Sequence, residues 1–124
     1  MPKAFLILLL CFFATGCYYD SEEYLFPNIN ITCDTTAVTY SGSVQPVLDQ
    51  YCYRCHSNAN APVSGNNIAL EDYGDVVTCA EDGSLFGSIS HESGFSPMPK
   101  GGGKLDDCTI TIIGTWINAG SPDN

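Results

Sequence analysis

Cys52-Tyr53-Arg54-Cys55-His56 is the stretch on which the reading of this chain turns. Two thiols three residues apart can each add to a vinyl group of one haem, and the adjacent imidazole then falls beneath the iron. The same spacing also serves half of a zinc site or a redox dithiol, so the surroundings must decide. A structural zinc site usually carries a second Cys or His pair at similar spacing, and no such pair is present. A redox C-x-x-C expects a strand before it and a long helix after it, whereas here a helical pattern precedes the motif and a loop follows. The expectation is one covalent haem c, held by Cys52 and Cys55, with His56 as an axial ligand.

The start of the chain supplies the compartment. Lys3 precedes an apolar run over residues 4–13, too short for a membrane-spanning helix and suited to an export signal. The run stops at Ala14-Thr15-Gly16-Cys17, which resembles a lipoprotein box, although Ala14 stands where such boxes usually carry Leu. Cys17 is then the expected lipidation site and new N-terminus; the plainer alternative is a secretory signal with Cys17 as an ordinary thiol. Residues 1–16 are assigned to the signal, 17–37 to an acidic tether and 38–124 to the folded domain. Asp20, Glu22 and Glu23 resemble the acidic surface-export tags of some Gram-negative lipoproteins, and equally suit a solvated linker. The expected location is lipid-anchored and exported, at the periplasmic face, the outer membrane or the cell surface.

About 108 residues remain after cleavage at that point, one small domain with little apolar surface to bury, so a covalent haem would form much of its core. Three Lys and Arg then face fourteen Asp and Glu, a formal charge of −11. Nucleic acid is excluded as a partner, because its phosphates need Lys and Arg to displace counterions. Of the seven cysteines, Cys33, Cys79 and Cys108 are left without an assigned role. In an oxidising compartment two can pair, and Cys33 with Cys108 is favoured because it would tie the approach to the domain to the last helix; a pairing with Cys79 stays open.

Within the domain, Ser43 is an expected N-cap and Pro46 fits a first turn. Val44, Val47, Leu48 and Tyr51 recur at helical spacing, which predicts about three turns leading into the motif. Residues 57–67 predict a loop, 71–80 a second helix and 84–89 a shorter one. Residues 94–103, with two prolines and four glycines, exclude regular structure. Asp106 or Asp107 is expected to cap a last helix that buries Ile110, Ile113 and Trp116 or Ile117 and ends at Ala119-Gly120.

The second axial ligand must come from elsewhere. Met98 lies in Ser96-Pro97-Met98-Pro99, where two prolines stiffen the backbone, and a thioether favours ferrous iron and closes the metal to substrate. His91 is the other candidate, and an open or water-bound iron is the third possibility.

The order helix, C-x-x-C-H, loop, helices, Met-Pro loop and the final Cys108-Thr109-Ile110-Thr111-Ile112-Ile113-Gly114-Thr115-Trp116-Ile117-Asn118-Ala119-Gly120 resembles the single-haem class I cytochrome c family, in the lipoprotein form of Bacteroidetes-type bacteria. The resemblance covers residues 38–124. It implies an all-α cytochrome c-like fold, with three to four helices around the haem. It also implies that the first and last helices cross, that His56 and Met98 ligate from opposite faces, and that Trp116 lies on the helix that packs near the haem.

Arg54, Lys100 and Lys104 are the cationic side chains left after cleavage, and all three stand near the motif or Met98 in sequence. Arg54 is a candidate partner for the haem propionates, with a ring for docking as the other reading; Lys104 is given no role. The acidic remainder predicts redox partners with basic docking surfaces and an association that slows as salt rises. The expected function is electron carriage without enzymatic activity, since no nucleophile pairs with a general base. A small peroxidase or reductase component and a gas-sensing haem module are the alternatives, each requiring an exchangeable iron position.

Overall fold

The computed structural model describes residues 33–124. Lys3, Cys17, the acidic residues that follow it and most of the expected tether lie outside the described residues. The compact unit runs over Cys33–Asn124, so residues 33–37, which the sequence assigns to the tether, belong to it. The physical reason is a disulfide between Cys33 and Cys108, with Cα atoms 5.3 Å apart, that fastens this approach to the last helix.

The described residues are helical, with no strand among them. A π-helical turn at Tyr40–Val44 leads into α1 (Gln45–Tyr51), followed by α2 (Tyr53–His56), α3 (Ala61–Ser64), α4 (Tyr73–Glu81), α5 (Ser84–Ile89) and α6 (Asp107–Asn118). This is more pieces than the three to four helices expected, because the first helix is interrupted and α3 forms inside a predicted loop.

The first helical segment begins earlier than Ser43. Thr39 is its cap: extended itself, it accepts from the Gly42 amide at 3.1 Å through its hydroxyl. Its carbonyl takes both the Ser43 and Val44 amides, at 3.1 and 3.2 Å, and this five-residue reach widens the turn to a π-helix. Pro46 sits in the first turn of α1, where its missing N–H costs nothing. The register slips at Cys52, whose φ of −115° separates α1 from α2. Hydrogen bonds nevertheless bridge the slip, from the Cys52 amide to Leu48 and from the His56 amide to Cys52, each at 2.8 Å.

Helical spacing predicts the buried faces. Val44 and Leu48, Val76 and Ala80, Leu85 and Ile89, and Ile110, Ile113 and Trp116 join one hydrophobic core. The last helix packs against both the π-turn and α5. Where α5 meets it, Gly114 leaves room for Phe86, whose ring a Cβ would meet at 2.9 Å. Trp116, not Ile117, is the fully buried residue of the last turn. Its indole N–H donates to the Pro122 carbonyl at 2.9 Å, and its ring lies 5.5 Å from that of Tyr40. Tyr40 meets Tyr73 edge-on at 5.0 Å, and the Tyr73 hydroxyl donates to the Ser121 carbonyl at 2.6 Å.

Both ends of α6 follow their residues. Asp106 caps it, accepting from the Thr109 amide at 2.9 Å and the Thr109 hydroxyl at 2.6 Å. Gly120, at φ 91°, closes it: its amide donates to Ile117 and that of Ser121 to Trp116. The helix predicted over 71–80 runs instead over Tyr73–Glu81, starting after Asp72, which is extended. No described helix is long and apolar enough to cross a membrane.

Candidate functional site: a cleft that gathers two thiols, an imidazole and a thioether

The slip at Cys52 places the C-x-x-C-H run on α2 and the residue before it. Cys52, Cys55 and His56 from this segment line one cleft of about 770 Å³, and Met98 lines it as well. That volume lies in the range of about 300–1,000 Å³ usual for small-molecule and cofactor sites. Leu70, Leu85, Ile89 and Leu105 give the cleft an apolar wall. A second hollow, of about 400 Å³, is lined by Gln45, Pro46, Asp49 and Tyr53 and holds neither imidazole nor thioether.

His56 is held by the segment that follows it. Its Nδ1 lies 2.8 Å from the Ile68 carbonyl oxygen, and its own carbonyl accepts the Leu70 amide at 2.8 Å. A carbonyl can only accept, so Nδ1 carries the proton and Nε2 keeps a lone pair. The Ile68 carbonyl is in turn positioned by α3 and the turn after it. The Gly65 and Asn67 amides donate to Ala61, and the Ile68 amide donates to Gly65 at 2.9 Å. Asn66 and Asn67 occupy left-handed backbone at φ 53° and 60°, which Asn tolerates better than most residues. Gly65 is buried against the motif, and a Cβ there would meet the Cys55 carbonyl at 2.5 Å and His56 Nδ1 at 3.1 Å. The predicted loop over 57–67 is therefore a built support containing one helical turn.

Met98 is held through its own backbone polar groups to the segment seven to ten residues before it. Its amide donates to the Ser88 carbonyl at 3.0 Å, and its carbonyl lies 3.0 Å from His91 Nε2. His91 itself is exposed and is not on the cleft wall.

Burial pushes the Cys52 thiol up to about 11, so a charged sulfur is disfavoured at that position. Cys79, left unassigned by the sequence, is a free thiol on the cleft wall, also raised by burial. Of the three cations considered above, Arg54 and Lys100 line the cleft. Lys104 does not; it pairs with Asp107 at 3.5 Å on the surface. Among the described residues, no Asp or Glu lies on the cleft wall. Among the described residues, no group of three or more His, Cys, Asp or Glu is placed to hold a metal ion by itself.

The residues the sequence reading missed are supports rather than ligands: the Ile68 carbonyl, Gly65 and the Ser88 carbonyl. Backbone acceptors leave no signature in side-chain identity, and only the Asn66-Asn67 pair signals that a left-handed turn is needed there. Compared with known proteins, no family model, curated protein or solved structure matches this chain.

Proposed function

We propose that the cleft takes one covalent haem c and that the protein is an exported, lipid-anchored electron carrier. The observation that carries this reading is the convergence of Cys52, Cys55, His56 and Met98 on one apolar cleft. A C-x-x-C-H run by itself is a motif; a thioether on the wall of the same cleft supplies the second soft donor that such an iron uses. The donor chemistry fits the group. The Ile68 carbonyl fixes the tautomer in which His56 Nε2 is free to bind metal. A desolvated position that disfavours thiolate suits a neutral thioether at Cys52 better than a zinc-bound or redox-active thiolate, which needs its pKa lowered. A wall with two cations and, among the described residues, no carboxylate suits the two propionates of a haem.

On this reading Cys52 and Cys55 would hold the haem through thioether bonds, and His56 and Met98 would ligate its iron. When bound, the haem supplies a one-electron ferric/ferrous couple. Met98 would favour the ferrous form and compete with exogenous ligands, Leu70 and Leu105 would exclude water, and Arg54 would offset propionate charge. The fold would then be cytochrome c-like, with the anchor at Cys17 and basic surfaces on the redox partners.

The optical spectrum of the reduced protein, with and without carbon monoxide, tests the carrier role. A thioether charge-transfer band in the oxidised form and no rapid shift with the gas are expected. Rapid gas binding to the reduced protein as isolated would overturn it in favour of an enzyme or sensor.

A further inference from the structure

We infer that His91 is the positioning residue for Met98, holding the thioether loop closed through the Met98 carbonyl; this rests on the haem reading above. The sequence offers His91 as a rival ligand, but the geometry points to a different use. Its Nε2 lies 3.0 Å from the Met98 carbonyl oxygen, and since that oxygen only accepts, Nε2 carries the proton and has no lone pair to offer a metal. The residue adopts left-handed backbone at φ 58°, a conformation that a non-glycine residue seldom takes without a local reason.

The loop shows why such a pin is needed. Pro97 and Pro99 have no amide hydrogen, so between Ser96 and Lys100 only Met98 can donate from the backbone. That one donor is spent on the Ser88 carbonyl at 3.0 Å. The His91 imidazole takes the carbonyl of the same residue, so Met98 is held at both of its backbone polar groups. The base of the loop is closed separately. The Glu92 amide donates to Gly87 at 2.8 Å, and Phe95 covers Gly87 so closely that a Cβ there would meet its ring at 2.2 Å. His91 therefore acts on the tip of the loop, next to the thioether, and not on its base.

Two substitutions separate the donor from the backbone. His91→Asn keeps tolerance for left-handed φ but is too short to reach the carbonyl, whereas His91→Gln keeps an N–H donor of comparable reach. In the mature protein, His91→Asn should speed hydrogen exchange at the Met98 amide by about three-fold or more and raise the carbon monoxide affinity of the reduced form by a similar factor. The gas competes only with the thioether-off state, and one net hydrogen bond corresponds to a factor of that order. His91→Gln should restore both values toward wild type. Unchanged exchange at Met98 in His91→Asn would overturn the inference, as would a Gln variant that behaves like Asn. The exchange measurement needs no haem, so absence of haem in the wild type would sink the proposed function while leaving the clamp to be decided by exchange.

Discussion

His56 Nδ1 lies 2.8 Å from the carbonyl oxygen of Ile68, twelve residues further along the chain. That single contact decides the chemistry available to the imidazole, because it commits the ring proton to Nδ1 and leaves Nε2 as a donor of electrons. It also makes the segment between them part of the site. Ala61, Gly65 and the two left-handed asparagines act by placing one carbonyl.

Gly65 tests that support. Its backbone is ordinary for any residue, so Gly65→Ala adds no conformational strain and reports crowding alone: the new methyl meets the Cys55 carbonyl, the Ala61 Cα and His56 Nδ1. Overpacking of this kind costs about 1–3 kcal/mol. A lower melting temperature is expected, together with a changed histidine environment by NMR. Gly74→Ala is the control, since its Cβ would meet nothing within 4 Å.

On the haem reading, Met98→Ala should leave the covalent haem in place while opening the iron. Loss of the thioether favours the ferric form, and a downward shift on the order of 100 mV is expected within the roughly 0.8 V over which axial ligands set haem potentials. Redox titration checks this. An unchanged potential and unchanged coordination would remove Met98 from the ligand set.

The Cys33 to Cys108 bridge closes a long loop, with a sequence separation of 75. Loop-closure entropy for that length gives an upper figure of about 4.5 kcal/mol, and measured disulfides usually contribute about 2–4 kcal/mol. Replacing both cysteines by Ala should lower unfolding stability by that latter amount in urea titrations. Cys79→Ala should leave the covalent link intact, because Cys79 is outside the bridge.

Acid should weaken the fold through carboxylates that accept local hydrogen bonds. Asp34, Asp82 and Asp106 are each held below the ordinary value of 3.8, chiefly by hydroxyl hydrogen bonds from Thr36, Ser84 and Thr109 and then by backbone amides. A depressed folded pKa means the unfolded chain binds more protons. The contribution is therefore present above about pH 4 and is lost as pH falls through the folded values. At the other end, burial raises the Tyr40 hydroxyl to about 12, so its stabilisation holds below the ordinary 10.0 and is lost as pH rises toward 12. Melting temperatures across pH should be flat near neutrality and fall at both ends. Asp106→Asn, which keeps a cap, should soften the acid limb.

Much of the helical pattern was legible in the sequence because side-chain period and capping carry it. Ile110, Ile113 and Trp116 share one face at helical spacing, and Asp106 and Gly120 mark the ends of their helix. The break at Cys52 and the turn at Ala61–Ser64 were not legible, since the local backbone hydrogen bonds that define them leave no mark in side-chain periodicity. Thr39 was hidden for a related reason: Ser43 has equal capping chemistry, and only the bonds Thr39 takes, from the Gly42 amide to its hydroxyl and from Val44 to its carbonyl, distinguish them. The thiols and imidazole of the site were visible as a motif, and Met98 by its flanking prolines. His91 was visible as a side chain while its use was not, because its partner is a carbonyl.

The central claim is tested most directly by the mass of the protein under fully denaturing conditions, compared with that of a variant in which Cys52 and Cys55 are both Ala. The account predicts that the wild-type chain retains the added mass of one haem after unfolding and that the variant retains none. A wild-type chain exported at the mass of its polypeptide and lipid alone would contradict it.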